Sequence, residues 1–344
     1  EQHRGGSIAY VDAGGMLQVG PRSAGADPGP ACYGRGGLGA TVSDANVVLG
    51  RLQSNSTLAG DLKLSLEKAQ ASLEPLAQRF GLSIEETALG IIDIANEHMA
   101  KAIRLISVNK GHDAKDFILA SFGGAGGLHV CALADAMAMK NALVPVHGGV
   151  LSALGMVVAD QGRQFSKTLS LDLQPIDEKS LEDQFAQLEQ GGMEQLALEG
   201  LHSSMLVPKR SADLRYKGQS YTLNIDWHAL AGVLEAFEQL HEQRYGYRHD
   251  APIELLTIRI NLSTKKIPFV LPQHITPAHC NNTRHCKVYG VTKQARLLAR
   301  AELYPGELIE GPAVIREYSA TTFVAANWSA AVDGFGNLVL QKQS

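Results

Sequence analysis

Asp116-Phe-Ile-Leu-Ala-Ser-Phe-Gly-Gly-Ala-Gly-Gly-Leu-His-Val-Cys-Ala-Leu-Ala-Asp-Ala-Met-Ala-Met-Lys140 moves from an apolar run through four glycines in five positions into a row of helix formers. The apolar run is short enough for one strand, and Leu128, Cys131, Ala132 and Ala136 share one helical face. Strand, glycine turn and helix together make a geometry that binds phosphate. Glycine lets the backbone approach a ligand closely. The first helical turn leaves N–H groups unpaired, and the helix dipole favours an anion there. The same residues fit a tight strand-to-helix turn that uses glycine only for packing. Taken alone, the stretch leaves both readings open.

The surrounding chain narrows the classes. Its 344 residues provide for two or three domains with a buried core. Hydrophobic residues make up 45% and charged residues 19%, the balance of an ordinary globular protein. A net charge of −4 with no long basic run argues against nucleic acid as a partner. The longest apolar segment, 142–159, is broken by Pro145, His147 and glycines, so no membrane partner is expected. The N-terminus lacks the apolar core of a signal peptide, and four cysteines are too few for a disulfide scaffold. A reducing cytoplasm is the expected compartment. The chain starts at Glu1 and runs at once into a strand-like segment, so a fragment or processed half is expected.

Residues 5–39 hold 11 glycines. Ser7 to Val11 and Met16 to Val19 read as strands joined by a hairpin loop. Residues 19–37 are too rich in Gly and Pro for regular structure but keep Ala31, Cys32 and Tyr33, so they read as an ordered, pocket-lining loop. Asp44 and Asn46 precede the apolar run from Val47, where helix capping is the simplest role. Two helices follow, one from Leu62 to Phe80. The second opens with the capping box Ser83-Ile-Glu-Glu86 and extends to Ile106. Asn96 borders the buried face of that helix and needs a partner there. Ala142 to Val146 reads as a strand, and 150–159 as a close-packing helix.

Beyond Asp160 the pattern changes to α+β. A polar helix covers 180–199, with a break at Gly191-Gly192. Strands at 212–216 and 221–226 form a hairpin. A helix through Leu230 to Leu240 stops near Gly246, and a long strand covers 253–264. Short β-like runs punctuated by Gly and Pro fill 288–341. The expected domains are 1–162, 163–270 and a small all-β unit at 271–344.

Several motifs now combine. They are Val19 to Gly37, Ser43-Asp-Ala-Asn46, Leu49-Gly-Arg-Leu52, Phe122 to His129 and Gly149-Val-Leu-Ser-Ala-Leu-Gly155. Further along come Arg215-Tyr-Lys-Gly-Gln219, Arg244-Tyr-Gly-Tyr247 and Pro305 to Ala313. Together they resemble the hydantoinase A / 5-oxoprolinase family, which includes the ATP-binding subunits of acetone-type carboxylases. The resemblance covers nearly the whole chain, with Gly127 and Ala40 standing where the family usually has Pro.

The resemblance implies an α/β fold, the second lobe of an actin, sugar-kinase or Hsp70-like ATPase, followed by the α+β and all-β units. It implies ATP and Mg²⁺ as cofactors, the Mg²⁺ ligands being expected mainly upstream of this chain. Nucleotide contacts carry over to Gly123, Gly124, Ala125 and Gly126, and more weakly to Asn96. Gly25, Ala26 and Asp27 are cleft-lining candidates, and Asp44 and His129 weak catalytic ones. The implied activity is ATP-dependent hydrolysis of a cyclic amide, with the fragment alone inactive. A hydantoinase B-type subunit or fused domain and an oligomeric assembly are implied as partners. Ketone carboxylation and a non-catalytic assembly module are the alternatives. His279-Cys280 and His285-Cys286 have zinc-ligand chemistry but read as a polar loop, and Cys32 reads as packing.

Overall fold

The computed structural model describes residues 6–54, 57–58, 62–173, 177–265, 269–270, 272–273 and 284–343. It divides into two compact units, residues 1–155 with 271–344, and residues 156–270.

In the first unit, β1 (Ser7–Val11) pairs antiparallel with β2 (Leu17–Ser23), and Ile8 bridges Thr41. Helix α1 (Val42–Val48) follows. The helix expected from Leu62 starts later: β3 (Thr57–Leu58) and β4 (Leu62–Lys63) form a small ribbon, and α2 runs from Leu66 to Phe80. Ser65 accounts for the late start, since its hydroxyl caps the Lys68 amide.

Helix α3 (Ile84–Asn109) begins at the expected Ser83–Glu86 capping box. Ala88, Ile91, Ile92 and Ala95 are buried on its inner face with Val42, Ala45 and Leu73. The burial stops short of the sequence pattern, and Ile106 is exposed. Strand β5 (Leu119–Ala120) leads through the glycine turn into α4 (Gly126–Ala136), and β6 (Asn141–Val144) pairs parallel with β5. Helix α5 (Leu151–Val158) forms as read but buries none of its residues, contrary to the close packing expected of it.

In the second unit, β7 (Gly162–Asp172) precedes α6 (Glu178–Leu198), then come β8 (Leu206–Tyr216), β9 (Leu223–Asp226), α7 (Leu230–Tyr245) and β10 (Ile253–Thr264). The antiparallel sheet has the order β7-β10-β8-β9. Phe185 of α6 and Phe237 of α7 pack on Leu214, Ile258 and Ile260. Gly246 ends α7 in the left-handed conformation, φ 83°, as the sequence pattern requires.

The break expected at Gly191-Gly192 is absent, because α6 is continuous there. Gly192 serves close packing: a Cβ on it would lie 2.7 Å from Phe165 Cδ2 and 2.9 Å from Leu262 Cδ1. Gly192→Ala is therefore expected to lower stability by about 1–3 kcal/mol through overpacking, despite the higher helix propensity of alanine. Urea unfolding measures this, and a stabilised variant would refute the packing argument.

The chain then returns to the first unit with β11 (Arg284–Cys286), β12 (Ala295–Ala299), β13 (Leu308–Glu310), β14 (Ala313–Arg316), β15 (Thr321–Val324), β16 (Trp328–Val332) and β17 (Leu338–Lys342). One sheet has the order β11-β12-β14-β15, the other β13-β16-β17-β6-β5. The C-terminal strands are thus β-rich as read, but they do not stand apart as a third domain. β17 continues the sheet of β5 and β6, and Ile315, Trp328 and Leu340 share one core with Val130 and Ala134 of α4. The apolar faces of α4 and of these strands cover each other, which fixes the position of the glycine turn.

Candidate functional site

β5 and β6 run parallel, so their carboxyl ends lie at one edge of the sheet, where α/β folds place ligands. The glycine turn leaves from β5 and the turn at 147–149 from β6. The Gly123 amide joins them by donating to the Gly148 carbonyl at 2.8 Å. Gly123 has φ 86°, open to glycine at little cost. Among the described residues, the amides of Gly124, Ala125 and Gly127 donate to no protein acceptor. Helix α4 has no side-chain cap at Ala125 and no acidic residue in its first turn. Ser121 is buried, its hydroxyl has no partner, and its Oγ would stand 2.7 Å from a Cβ placed on Gly126. The helix end thus offers unused donors and a dipole suited to an anion.

Some of these glycines also serve packing. A Cβ on Gly124 or on Gly149 would lie 2.7 Å from the Ser319 carbonyl oxygen, and the Thr321 amide donates to the Gly124 carbonyl at 3.2 Å. The packing reading therefore holds, because the turn seats the β14–β15 hairpin, and it leaves unengaged the donors that the phosphate reading calls for.

Asn96 and His129 meet behind the turn. His129 Nδ1 is 2.7 Å from Asn96 Oδ1, and both residues are buried. The amide oxygen accepts, so Nδ1 carries the proton and Nε2 is the acceptor. Burial, with a smaller contribution from the Arg51 cation, holds the imidazole down at about 4, so it is neutral at pH 7. The Arg51 guanidinium lies 5.1 Å from the Phe323 ring centroid, and its Nε lacks a hydrogen bond.

Asp44 sits elsewhere, fully buried at the start of α1. Its Oδ1 accepts from the Cys32 amide at 2.7 Å. Its Oδ2 accepts from the Thr41 amide at 2.9 Å, the Thr41 hydroxyl at 2.7 Å and the Ala31 amide at 3.3 Å. The carboxylate spends its lone pairs on its own chain and pins the end of the 19–37 loop. That loop is ordered as expected, with Gly29 to Cys32 buried, but Gly25, Ala26 and Asp27 are exposed. Among the described residues no hydrogen bond ties those three to the glycine turn. Asn46 is inside α1, not before it, and its Nδ2 donates to the Val42 carbonyl at 2.9 Å. Burial, reinforced by Asp44, pushes the Cys32 thiol well above its usual range, so it stays protonated.

A cavity of about 480 Å³ opens beside the turn, lined by His147, Arg300, Glu317, Tyr318, Ser319 and Phe335 among others. The sequence reading singled out none of these. Only their approach across β6, the β14–β15 turn and the loop before β17 reveals them. His279 and Cys280 lie outside the described residues, while His285 and Cys286 are in β11. Among the described residues no three His, Cys, Asp or Glu side chains gather at a metal-binding point.

Known proteins place the geometry in context. The chain is 33% identical to the caprolactamase subunit alpha of Pseudomonas jessenii, over 96% of this chain and 50% of that protein. It is 30% identical to the 5-oxoprolinase of Saccharomyces cerevisiae, over 95% of this chain and 28% of that protein. The crystal structure of the ATP-dependent caprolactamase from Pseudomonas jessenii superimposes with a TM-score of 0.82 at 31% identity, over 99% of this chain and 52% of that one. The chain thus spans about half the length, or less, of these relatives. Residues 3–164 match the hydantoinase/oxoprolinase family, and with the agreement of motifs, relatives and structure the chain belongs to that family.

Proposed function

We propose that this chain forms the nucleotide-binding part of an ATP-dependent cyclic-amide hydrolase. The observation that carries the reading is the uncapped α4 N-terminus at the carboxyl edge of two parallel strands, with the amides of Gly124, Ala125 and Gly127 unengaged. A phosphate there accepts from those amides, draws on the helix dipole, and lies within reach of Ser121. ATP supplies the phosphoryl group that activates the ring-amide carbon through its oxygen. Water adds to that carbon, the ring C–N bond breaks with the nitrogen taking up a proton, and a second water releases phosphate from the resulting acyl phosphate. The neutral His129, held by Asn96, supports the first turn of α4 from behind without adding charge. On this reading the first unit is a lobe of an actin, sugar-kinase or Hsp70-like ATPase. Mg²⁺ ligands come from outside the described residues, and a hydantoinase B-type subunit or fused domain completes hydrolysis.

Ala125→Asp tests the reading. A carboxylate at the N-cap complements the helix dipole and competes with phosphate for the same amides. The expected result is MgADP binding at least about tenfold weaker, with a melting temperature equal to or above that of the wild type. Unchanged affinity would remove phosphate from the turn. A panel of caprolactam, 5-oxoproline and hydantoin against ketone plus bicarbonate, read by ATP turnover, tests the substrate class.

A further inference from the structure

We propose that the cavity beside the glycine turn receives a flat ring whose edge carries an N–H donor next to an acceptor, with Tyr318 and Phe335 as its walls and Arg300 and Glu317 as its floor. The inference rests on the nucleotide and ring-amide reading above. Both molecules bring such an edge: the adenine base has its amino group beside a ring nitrogen, and a cyclic amide has its N–H beside its carbonyl.

The cavity is largely apolar, and its volume lies within the range of small-ligand sites. Two of its aromatic side chains are unburied, Tyr318 at 74% and Phe335 at 43% exposure. Tyr318 stands at the tip of the β14–β15 turn and Phe335 in the loop before β17, so neither ring is needed to fill the core. Exposed rings beside a cavity are suited to stacking on a flat ligand.

The floor is polar and incompletely used. Arg300 is 6% exposed and fixed by two carbonyls. Its Nε donates to Gly336 at 3.0 Å and its Nη2 to Val144 at 3.0 Å. Its Nη1 stands 3.2 Å from Glu317 Oε1, yet neither of these two atoms makes an aligned hydrogen bond. A buried donor and acceptor are therefore held side by side with bonding capacity to spare, an arrangement that costs stability. Glu317 is the movable member, because the backbone holds Arg300. A small rotation of Glu317 opens the pair, after which Nη1 donates to the ligand acceptor and the carboxylate accepts from the ligand N–H. Burial raises the Glu317 carboxyl above its usual range, opposed by the Arg300 and His147 charges, so removal from water weighs on this carboxylate.

The cavity also adjoins the anion site. Ser319 lines it and packs on Gly124, and His147 precedes the Gly148 carbonyl that takes the Gly123 amide. A ring in the cavity and a phosphate at α4 are then parts of one site.

The experiment uses the full-length protein and its variants Tyr318→Ala, Phe335→Ala, the double alanine and Glu317→Gln. Calorimetric titration is run with MgADP, magnesium pyrophosphate and caprolactam or 5-oxoproline. Stacking of this kind predicts that each lost ring weakens the occupant about tenfold, while pyrophosphate binds as to the wild type. Weakened MgADP with unchanged ring amide assigns the cavity to the base, and the reverse assigns it to the ring amide. Glu317→Gln is expected to weaken the same ligand and to spare pyrophosphate.

A double alanine variant that melts like the wild type and binds every ligand with wild-type affinity overturns the proposal. So does a Glu317→Gln variant that loses stability without a ligand-specific change, which would make the ion pair purely structural. A wild type that binds neither MgADP nor pyrophosphate refutes the nucleotide reading alone, and the ring-amide titration then judges the cavity. Absence of ring-amide binding as well overturns both.

Discussion

Asp44→Ala is expected to lower the stability of the protein by about 3–5 kcal/mol, among the largest effects of any single substitution. The carboxylate accepts from three backbone amides and one hydroxyl, all in the interior. Alanine leaves those donors without partners, at roughly 1–3 kcal/mol for each that water does not reach. It also removes one half of the capping box at α1, since Thr41 and Asp44 cap each other. The Cys32 end of the 19–37 loop loses its anchor with it. Asp44→Asn, which keeps one acceptor oxygen but turns an N–H₂ toward the remaining donors, is expected to fall between wild type and alanine. Denaturant unfolding measures both. Wild-type stability in Asp44→Ala with abolished activity would instead return Asp44 to the list of chemical participants.

Asp44 shows how far the sequence alone reaches. Its place in a distinctive motif marks it, and capping is the role its position before an apolar run suggests. The helix, however, starts at Val42 with Thr41 as its cap, and the loop amides Asp44 also binds come from residues 31 and 32 and carry no local signal. The elements that follow local rules are legible for the same reason. The Ser83–Glu86 box starts α3, Gly246 ends α7, and the hairpin of β8 and β9 is read from its turn.

What escapes is decided by partners distant in sequence. β7 alternates weakly, with Phe165 and Leu169 its contributions to the core, so it does not read as a strand until β10 pairs with it. Gly191-Gly192 reads as a helix break because glycine usually is one, whereas close approach of Phe165 and Leu262 is what selects it at 192. Residues 271–344 read as a separate β unit because register with β6 is not written in local periodicity. The cavity with Arg300 and Glu317 is invisible for the same reason, since it exists only once that pairing brings the C-terminal strands to the glycine turn.

His129 gives the strongest expected pH dependence. Its imidazole, near 6.5 when unfolded, is held at about 4 in the folded protein, first by burial and then by the Arg51 cation. Between those values the unfolded chain binds a proton that the folded one refuses, so unfolding becomes easier as pH falls. The contribution is fully present above about pH 6.5 and declines toward pH 4, by at most about 3 kcal/mol. Carboxylates titrate over part of the same window, so the decisive comparison is with His129→Gln. That variant keeps a side-chain N–H for the Asn96 oxygen and has no proton to take up. The expected result is that urea unfolding of the wild type loses markedly more stability from pH 7 to pH 5 than that of the variant. Parallel curves would show that His129 is not held neutral by the fold. Helix α4 would then carry an imidazole that becomes charged as pH falls through about 6.5, adding a cation behind its first turn only under acid conditions.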